Sequence, residues 1–504
     1  MTTFKEMQGL KSKLIVNKEF WAILIISIIA FGLRLYRLGA CDLWYDEVCS
    51  VLNSKNFLHD WNPPLYFIIL HYWIKLFGVS EFTLRFPSLV FSVISIPCLF
   101  FLGKQIFNRR VGLYASLVMC LSSFHLWYAQ EARPYSLSVL LSILSTYFFY
   151  RFLTEGKIKL GIIYILFFIL GLYSNVTYYH LFLLSTQLLA VVIFIRKNIY
   201  LKLFSFFCLI FLVFSLRLGH FISKFLYANG GFWIPTPSLK SPIITIENFN
   251  LGYNVSAGLY WFSDLIVLII LALVFLTVIR KKEWKRNFIF VAILSFLPLA
   301  LAFVFSKIFF PVYLDRGLII FSPYYYLLLG LGIDYLENKR LKKIIASSFL
   351  VILLISLSSY YRNVMTAGSE HHLGVVLKKP FKPALKFIEN NFKLGDLVMH
   401  TNYSSQEVFK FYSKNKEIAQ NFIFASKMID STCNRPYKSS AENVNVNELA
   451  SIDANRVWVV SCDWERGKEL DKNSKTVNSE MSKKYKLDLS LEFDGLWVYR
   501  YVKF

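Results

Sequence analysis

Apolar runs long enough to cross a bilayer recur along this chain, and they exclude most of the folds open to 504 residues. A run of about 20 apolar residues can span the hydrocarbon core as a helix. Such runs fall near 20–36, 86–103, 111–127, 134–152, 158–175, 178–196, 201–217, 259–279, 287–306, 316–334 and 344–361. Inside lipid every backbone N–H and C=O must be bonded within its own segment, so each run is read as a helix. Eleven spans result. The 56% share of hydrophobic residues agrees with this. The apolar run 64–77 is short for a span and reads as a re-entrant or surface helix.

A net charge of +23 would suggest nucleic acid as the partner of a soluble chain. Here the lysines and arginines gather in short loops at alternate ends of the apolar runs, at Lys104/Arg109/Arg110, Arg151/Lys157/Lys159, Arg196/Lys197/Lys202, Arg280/Lys281/Lys282/Lys285/Arg286 and Lys339/Arg340/Lys342/Lys343. The excess of cations on the cytoplasmic side puts these clusters and the N-terminus in the cytoplasm. The charge is therefore that of a membrane protein, and no nucleic-acid partner follows. The first run comes after Lys11, Lys13 and Lys18 with no small-residue cleavage site behind it, so it reads as a retained anchor.

An odd number of spans sends everything after residue 361 to the outer side. The expected division is a membrane domain, 1–361, and an extracytoplasmic α/β domain, 362–504. In the latter, helix-like 382–392 and 405–412 alternate with strand-like 396–400, 456–462 and 496–504. No glycine-rich phosphate loop is present, which argues against an ATP-driven pump. Cys98, Cys120 and Cys208 lie in apolar runs and read as small core residues. Cys41 with Cys49, and Cys433 with Cys462, lie where disulfides can persist, and spacing does not fix their connectivity.

Asp46 and Glu47, in Trp44–Glu47, sit between the first two spans. An acidic pair at a membrane surface costs free energy, and its default reading is a functional site. Over 44–58, Trp44, Val48, Val51 and Leu52 share one helical face while Asp46, Ser50 and Asn53 share the other. That describes an interfacial helix, in whose first turn the two acids also suit the helix dipole. Glu131, Arg133 and Tyr135 form a second group, in Trp127–Leu137. Arg85 opens the second span, and Tyr313, Asp315 and Arg316 open the tenth. A guanidinium offers a planar fork of donors suited to phosphate, although each arginine alone could also anchor to lipid headgroups. Several on one side favour a shared polar cavity.

These motifs occur in the order W-Y-D-E, N-P-P-L-Y-F from Asn62 through Tyr66, S-E-F-T-L-R-F-P-S, A-Q-E-A-R-P-Y-S and Y-L-D-R. The series resembles the integral-membrane GT-C glycosyltransferases, family 39-like, among them the bacterial relatives of protein O-mannosyltransferases and of lipid A aminoarabinose transferases. The resemblance implies inverting sugar transfer from a polyprenyl-phosphate donor to a lipid, glycan or protein acceptor at the outer face of the cytoplasmic membrane. Asp46 would be the catalytic carboxylate with Glu47 beside it. Arg85, Arg133 and Arg316 would take the donor phosphate, and Asn62, Tyr66, Glu131, Tyr135 and Tyr313 would line the pocket.

The chemistry needs little more. The leaving group is a phosphate, so no acid is required, and one carboxylate suffices to deprotonate the acceptor hydroxyl. Cationic groups then stabilise the departing phosphate. The aminoarabinose transferases carry Glu-Lys where this chain has Trp61-Asn62, so their acidic metal ligand and phosphate-binding lysine have no counterpart here. Glu47 and His59 are what a divalent metal ion would find instead. The competing function is a transporter or flippase of lipid-linked sugars. Paired halves with helices broken near the midplane would mark it, whereas here the ionisable residues collect at one end of the spans.

Overall fold

A computed structural model describes residues 4–57, 62–174, 177–194, 200–229, 234–280, 284–363, 365, 368–414, 422–426, 443–445, 454–462 and 472–504, with side-chain surroundings from Lys18 onward. The chain divides into two compact units. One comprises Met1–Leu38 with Ser54–Gly374, the other Gly39–Asn53 with Val375–Phe504.

The first unit is helical, and every expected span carries helix. Six helices among the described residues are long and apolar enough to cross a membrane: Glu81–Ile106, Tyr135–Glu155, Ala257–Leu276, Lys285–Ile308, Asp315–Tyr335 and Lys339–Tyr361. The chain is an integral membrane protein. Ile158–Leu172, Tyr178–Ile193 and Leu201–Ser215 are apolar and shorter than these six, the end of the run 178–196 lying outside the described residues. Cys208 is exposed on the last of these rather than lying in a core.

The run 111–127 is not one straight helix. It breaks at Ser122 into Arg109–Leu121 and Ser123–Ala129, bent by 61°. A break strands the last carbonyls of the first piece, and Arg34 answers them. Its guanidinium, buried on the first helix, donates to the carbonyls of Met119 and Cys120, each at 3.1 Å, and to Ser92 Oγ at 2.8 Å. Ser122 Oγ caps the second piece by accepting the N–H of His125. The bend hands the chain to the Gln130–Arg133 turn, where Gln130 Nε2 donates to the carbonyls of Arg34 and Tyr36, both at 2.8 Å. The neighbouring helices Glu81–Ile106 and Arg109–Leu121 cross at Gly103 and Gly112. A Cβ on Gly103 would stand 2.7 Å from the Gly112 Cα, so the hairpin closes only on bare backbone.

The stretch 218–258, between the seventh and eighth apolar runs, contains helices Leu218–Asn229 and Ser241–Leu251. Residues 64–77 form the short helix Leu65–Phe77. It docks on the start of Glu81–Ile106, where Trp73 Nε1 donates to the Thr83 carbonyl and the Trp73 ring stacks on Phe86.

The second unit is built on a mixed six-stranded sheet, β1 (Leu397–His400), β2 (Phe422–Ser426), β3 (Asn443–Asn445), β4 (Arg456–Cys462), β5 (Tyr485–Glu492) and β6 (Leu496–Lys503), in the order β3-β2-β1-β4-β6-β5. The first four are parallel and β6 runs antiparallel to both β4 and β5. Burial alone would push the Asp396 carboxyl up. Hydrogen bonds from Arg456 and Trp458 outweigh that and hold it below the usual range.

The early segment Gly39–Asn53 belongs to this sheet unit. Leu43 N–H donates to the Tyr412 hydroxyl at 2.7 Å, the Lys382 N–H donates to Asp42 Oδ2 at 2.8 Å, and the hydroxyls of Tyr45 and Tyr403 meet. No disulfide joins Cys41 to Cys49, and Cys433 lies outside the described residues.

Candidate functional site

Asp46 and Glu47 stand in the first turn of helix Tyr45–Lys55 in the sheet unit. Their surroundings differ. Glu47 is buried, and its Oε2 reaches back to accept the N–H of Trp44 at 3.4 Å, the glutamate half of a capping box. Asp46 is half-buried. The polar face expected in water is instead covered, since Ser50 and Asn53 are buried while Leu52 is part-exposed. Hydroxyl and amide groups on this short helix can bond locally, as Ser50 Oγ does to the Asp46 carbonyl at 3.0 Å. Polarity therefore did not force them outward.

In the helical unit, Arg85 is 1% exposed and donates to the Leu38 carbonyl at 3.0 Å. A snorkelling anchor keeps its guanidinium in water, and Arg85 does not. One turn on, Ser88 joins two distant segments. Its Oγ donates to the Arg133 carbonyl at 3.0 Å and is 3.0 Å from the Tyr66 hydroxyl, which must then be the donor, because Ser88 has one proton to give. Tyr66, Ser88 and Arg133 thus form one chain.

The turn carrying Arg133 is tight, with the Arg133 N–H on the Glu131 carbonyl at 2.8 Å. Glu131 is buried and accepts Trp127 Nε1–H at 2.8 Å. The Arg133 guanidinium stands 5.7 Å from the Tyr135 ring centre, a cation–π pair. Tyr135 packs edge-on against Tyr128, whose hydroxyl meets that of Tyr253 at 2.6 Å. Tyr253 lies within electrostatic reach of Glu131 and Arg316, and Tyr178 within reach of Tyr135 and Arg316. The structure therefore brings Tyr66, Glu131, Arg133 and Tyr135 together, with Arg316 nearby. The Asn62 carbonyl accepts from Arg217 at 3.2 Å.

Tyr313 and Asp315, the residue before Arg316, belong to a network the sequence did not disclose. Thr245 Oγ1 lies 2.9 Å from the Tyr313 hydroxyl and 2.6 Å from Asp315 Oδ1, while Asn248 Nδ2 donates to Asp315 Oδ2 at 2.5 Å. Both partners come from helix Ser241–Leu251, which lies outside the expected spans. Its signal was Pro242 at the first turn, where a missing N–H costs nothing.

Among the described residues, no three His, Cys, Asp or Glu side chains converge to hold a metal ion. Glu47 is engaged at its helix start, and His59 lies outside the described residues.

Residues 61–219 match the family described as dolichyl-phosphate-mannose-protein mannosyltransferase. No curated protein sequence matches the chain. Among solved structures, the chain is similar to ArnT from Cupriavidus metallidurans in the apo state. The TM-score is 0.59 at 11% identity, covering 95% of this chain and 97% of that one. The same protein bound to undecaprenyl phosphate gives 0.54 at 12%, with equal coverage. At such identity the likeness is one of fold, and it runs nearly end to end. The chain has the architecture of the GT-C membrane glycosyltransferases and carries, over residues 61–219, the sequence pattern of the protein mannosyltransferase family.

Proposed function

We propose that the protein transfers a sugar from a polyprenyl-phosphate donor to a lipid, glycan or protein acceptor at the outer face of the cytoplasmic membrane, inverting the anomeric centre. The observation that carries this reading is the fixed arginine set of the helical unit. Arg85 is buried, and the Arg133 backbone is tied through Ser88 to Tyr66. Guanidinium forks held in place suit a phosphate whose charge grows as the bond breaks. A solved structure of the same fold is described as bound to undecaprenyl phosphate, which supports the donor class.

In this reading Arg85, Arg133 and Arg316 hold the donor phosphate, with Tyr66, Glu131, Tyr135 and Tyr313 around it and Asn62 at the margin. Asp46 takes the proton from the acceptor hydroxyl as that oxygen attacks the anomeric carbon and the C–O bond to phosphate breaks. Glu47 holds the start of the Asp46 helix. If this is right, cells lacking the protein accumulate one polyprenyl-phosphate sugar, measurable by mass analysis of extracted lipid. An unchanged lipid-linked sugar pool would count against it.

The eleven-span topology has the N-terminus in the cytoplasm and residues after 361 outside. An impermeant thiol reagent added to intact cells should then modify Ser404→Cys and spare Lys342→Cys. The opposite labelling would overturn the orientation.

A further inference from the structure

The segment Ser369–Gly374, which follows the last long apolar helix, is fastened to the helical unit by four separate contacts. His371 Nε2 lies 2.8 Å from Glu247 Oε2. The His371 carbonyl accepts Asn248 Nδ2–H at 2.7 Å. The imidazole stacks on the Tyr260 ring, 4.4 Å between centres and 18° from parallel. Finally the Gly374 carbonyl accepts Arg316 Nη1–H at 2.9 Å. Gly374 has a φ of 69°, in the left-handed region that only glycine adopts cheaply, so the turn that presents this carbonyl is itself specific.

Two of these contacts converge on the same arginine. Asn248, which holds the His371 carbonyl, also holds Asp315, the residue preceding Arg316. Helix Ser241–Leu251 therefore grips the backbone of Arg316 on one side, through Asp315. On the other it grips the strap whose end receives the Arg316 guanidinium. A side chain as long as arginine loses much rotamer freedom when it is pinned, and two stapled elements supply the pinning.

We infer that His371, acting through the Glu247 contact and the Gly374 carbonyl, is a positioning residue that fixes the guanidinium of Arg316 for an anionic phosphate ligand. This rests on the proposed donor role of Arg316. His371 itself touches neither donor nor acceptor in this account. Its removal frees the strap, and the arginine loses its bearing while keeping its charge. Misplacement by about 1 Å at a distance from the chemistry can cost as much as a hundredfold.

The test is a double-mutant cycle on the full chain in nanodiscs, with undecaprenyl phosphate alone as the probe and its affinity as the readout. His371→Ala should weaken binding by about tenfold to a hundredfold. His371→Gln, whose amide can still reach Glu247, should recover most of it. In an Arg316→Ala background, His371→Ala should cause no further loss, because residues acting through one group are not additive. Equal losses in both backgrounds would make His371 a general packing residue and overturn the inference, as would a wild-type affinity for His371→Ala. Wild-type affinity for Arg316→Ala would instead remove the donor role of Arg316, and the inference with it. Matched yield and monodisperse elution of His371→Ala and His371→Gln guard against unfolding.

Discussion

Replacing Asp46 with asparagine should abolish nearly all sugar transfer while the protein still inserts and accumulates. A general base contributes about a hundredfold to ten-thousandfold in rate, and asparagine keeps the shape of aspartate while losing its proton affinity. The fold around it should survive. Asp46 is half-buried in the first turn of its helix, and the contact that Ser50 makes there is to the Asp46 backbone carbonyl. Glu47→Gln should be milder, since a glutamine oxygen can still accept the Trp44 N–H that Glu47 accepts. The measurement is transfer per inserted molecule in membranes supplied with donor. Full transfer by Asp46→Asn would remove it from the chemistry.

Arg133→Lys and Arg85→Lys should both impair use of the donor more than folding. Lysine retains the charge and loses the planar fork. A net hydrogen bond to a charged group is worth about 1.5–3 kcal/mol, so losing one prong weakens the donor complex by roughly tenfold to a hundredfold. Arg133→Lys isolates the effect best, because the tie of that residue to Ser88 runs through its backbone carbonyl and persists in any variant. Arg85→Lys also gives up part of a buried arrangement at the Leu38 carbonyl, so its yield should fall somewhat as well. Wild-type KM for the donor in both variants would return the arginines to the role of lipid anchors.

The helices of this fold were legible because a bilayer leaves apolar runs almost no alternative. What composition could not show is how polar groups inside the bundle are satisfied. Arg34 looks like an end-of-span cation, yet it is fully buried at the carbonyls that the Ser122 break leaves over. That contact joins residues more than eighty apart, and no local pattern encodes it. Ser50 and Asn53 were assigned to water by polarity and are buried.

Helix Ser241–Leu251 was passed over because its mixture of isoleucines and asparagines lacks a clean apolar stripe. It nevertheless supplies Thr245, Glu247 and Asn248 to the network around Arg316. In the sheet unit, β5 was missed although Leu487, Leu489 and Leu491 alternate with polar residues, the period-two signal of a strand. The cluster of Tyr66, Arg133 and Tyr135 follows the order of the motifs in the sequence, but the hydrogen bonds by which Ser88, the last residue of S-E-F-T-L-R-F-P-S, ties it together are long-range and not encoded in the motif.

Consumption of a polyprenyl-phosphate sugar separates a transferase from a flippase. Membranes containing the wild-type protein, given a set of radiolabelled polyprenyl-phosphate sugars, should release free polyprenyl phosphate from one of them and move the label to an acceptor, and membranes with Asp46→Asn should not. If no such donor is consumed by the wild type while lipid-linked sugar crosses the bilayer in its presence, the protein is a flippase and not a transferase.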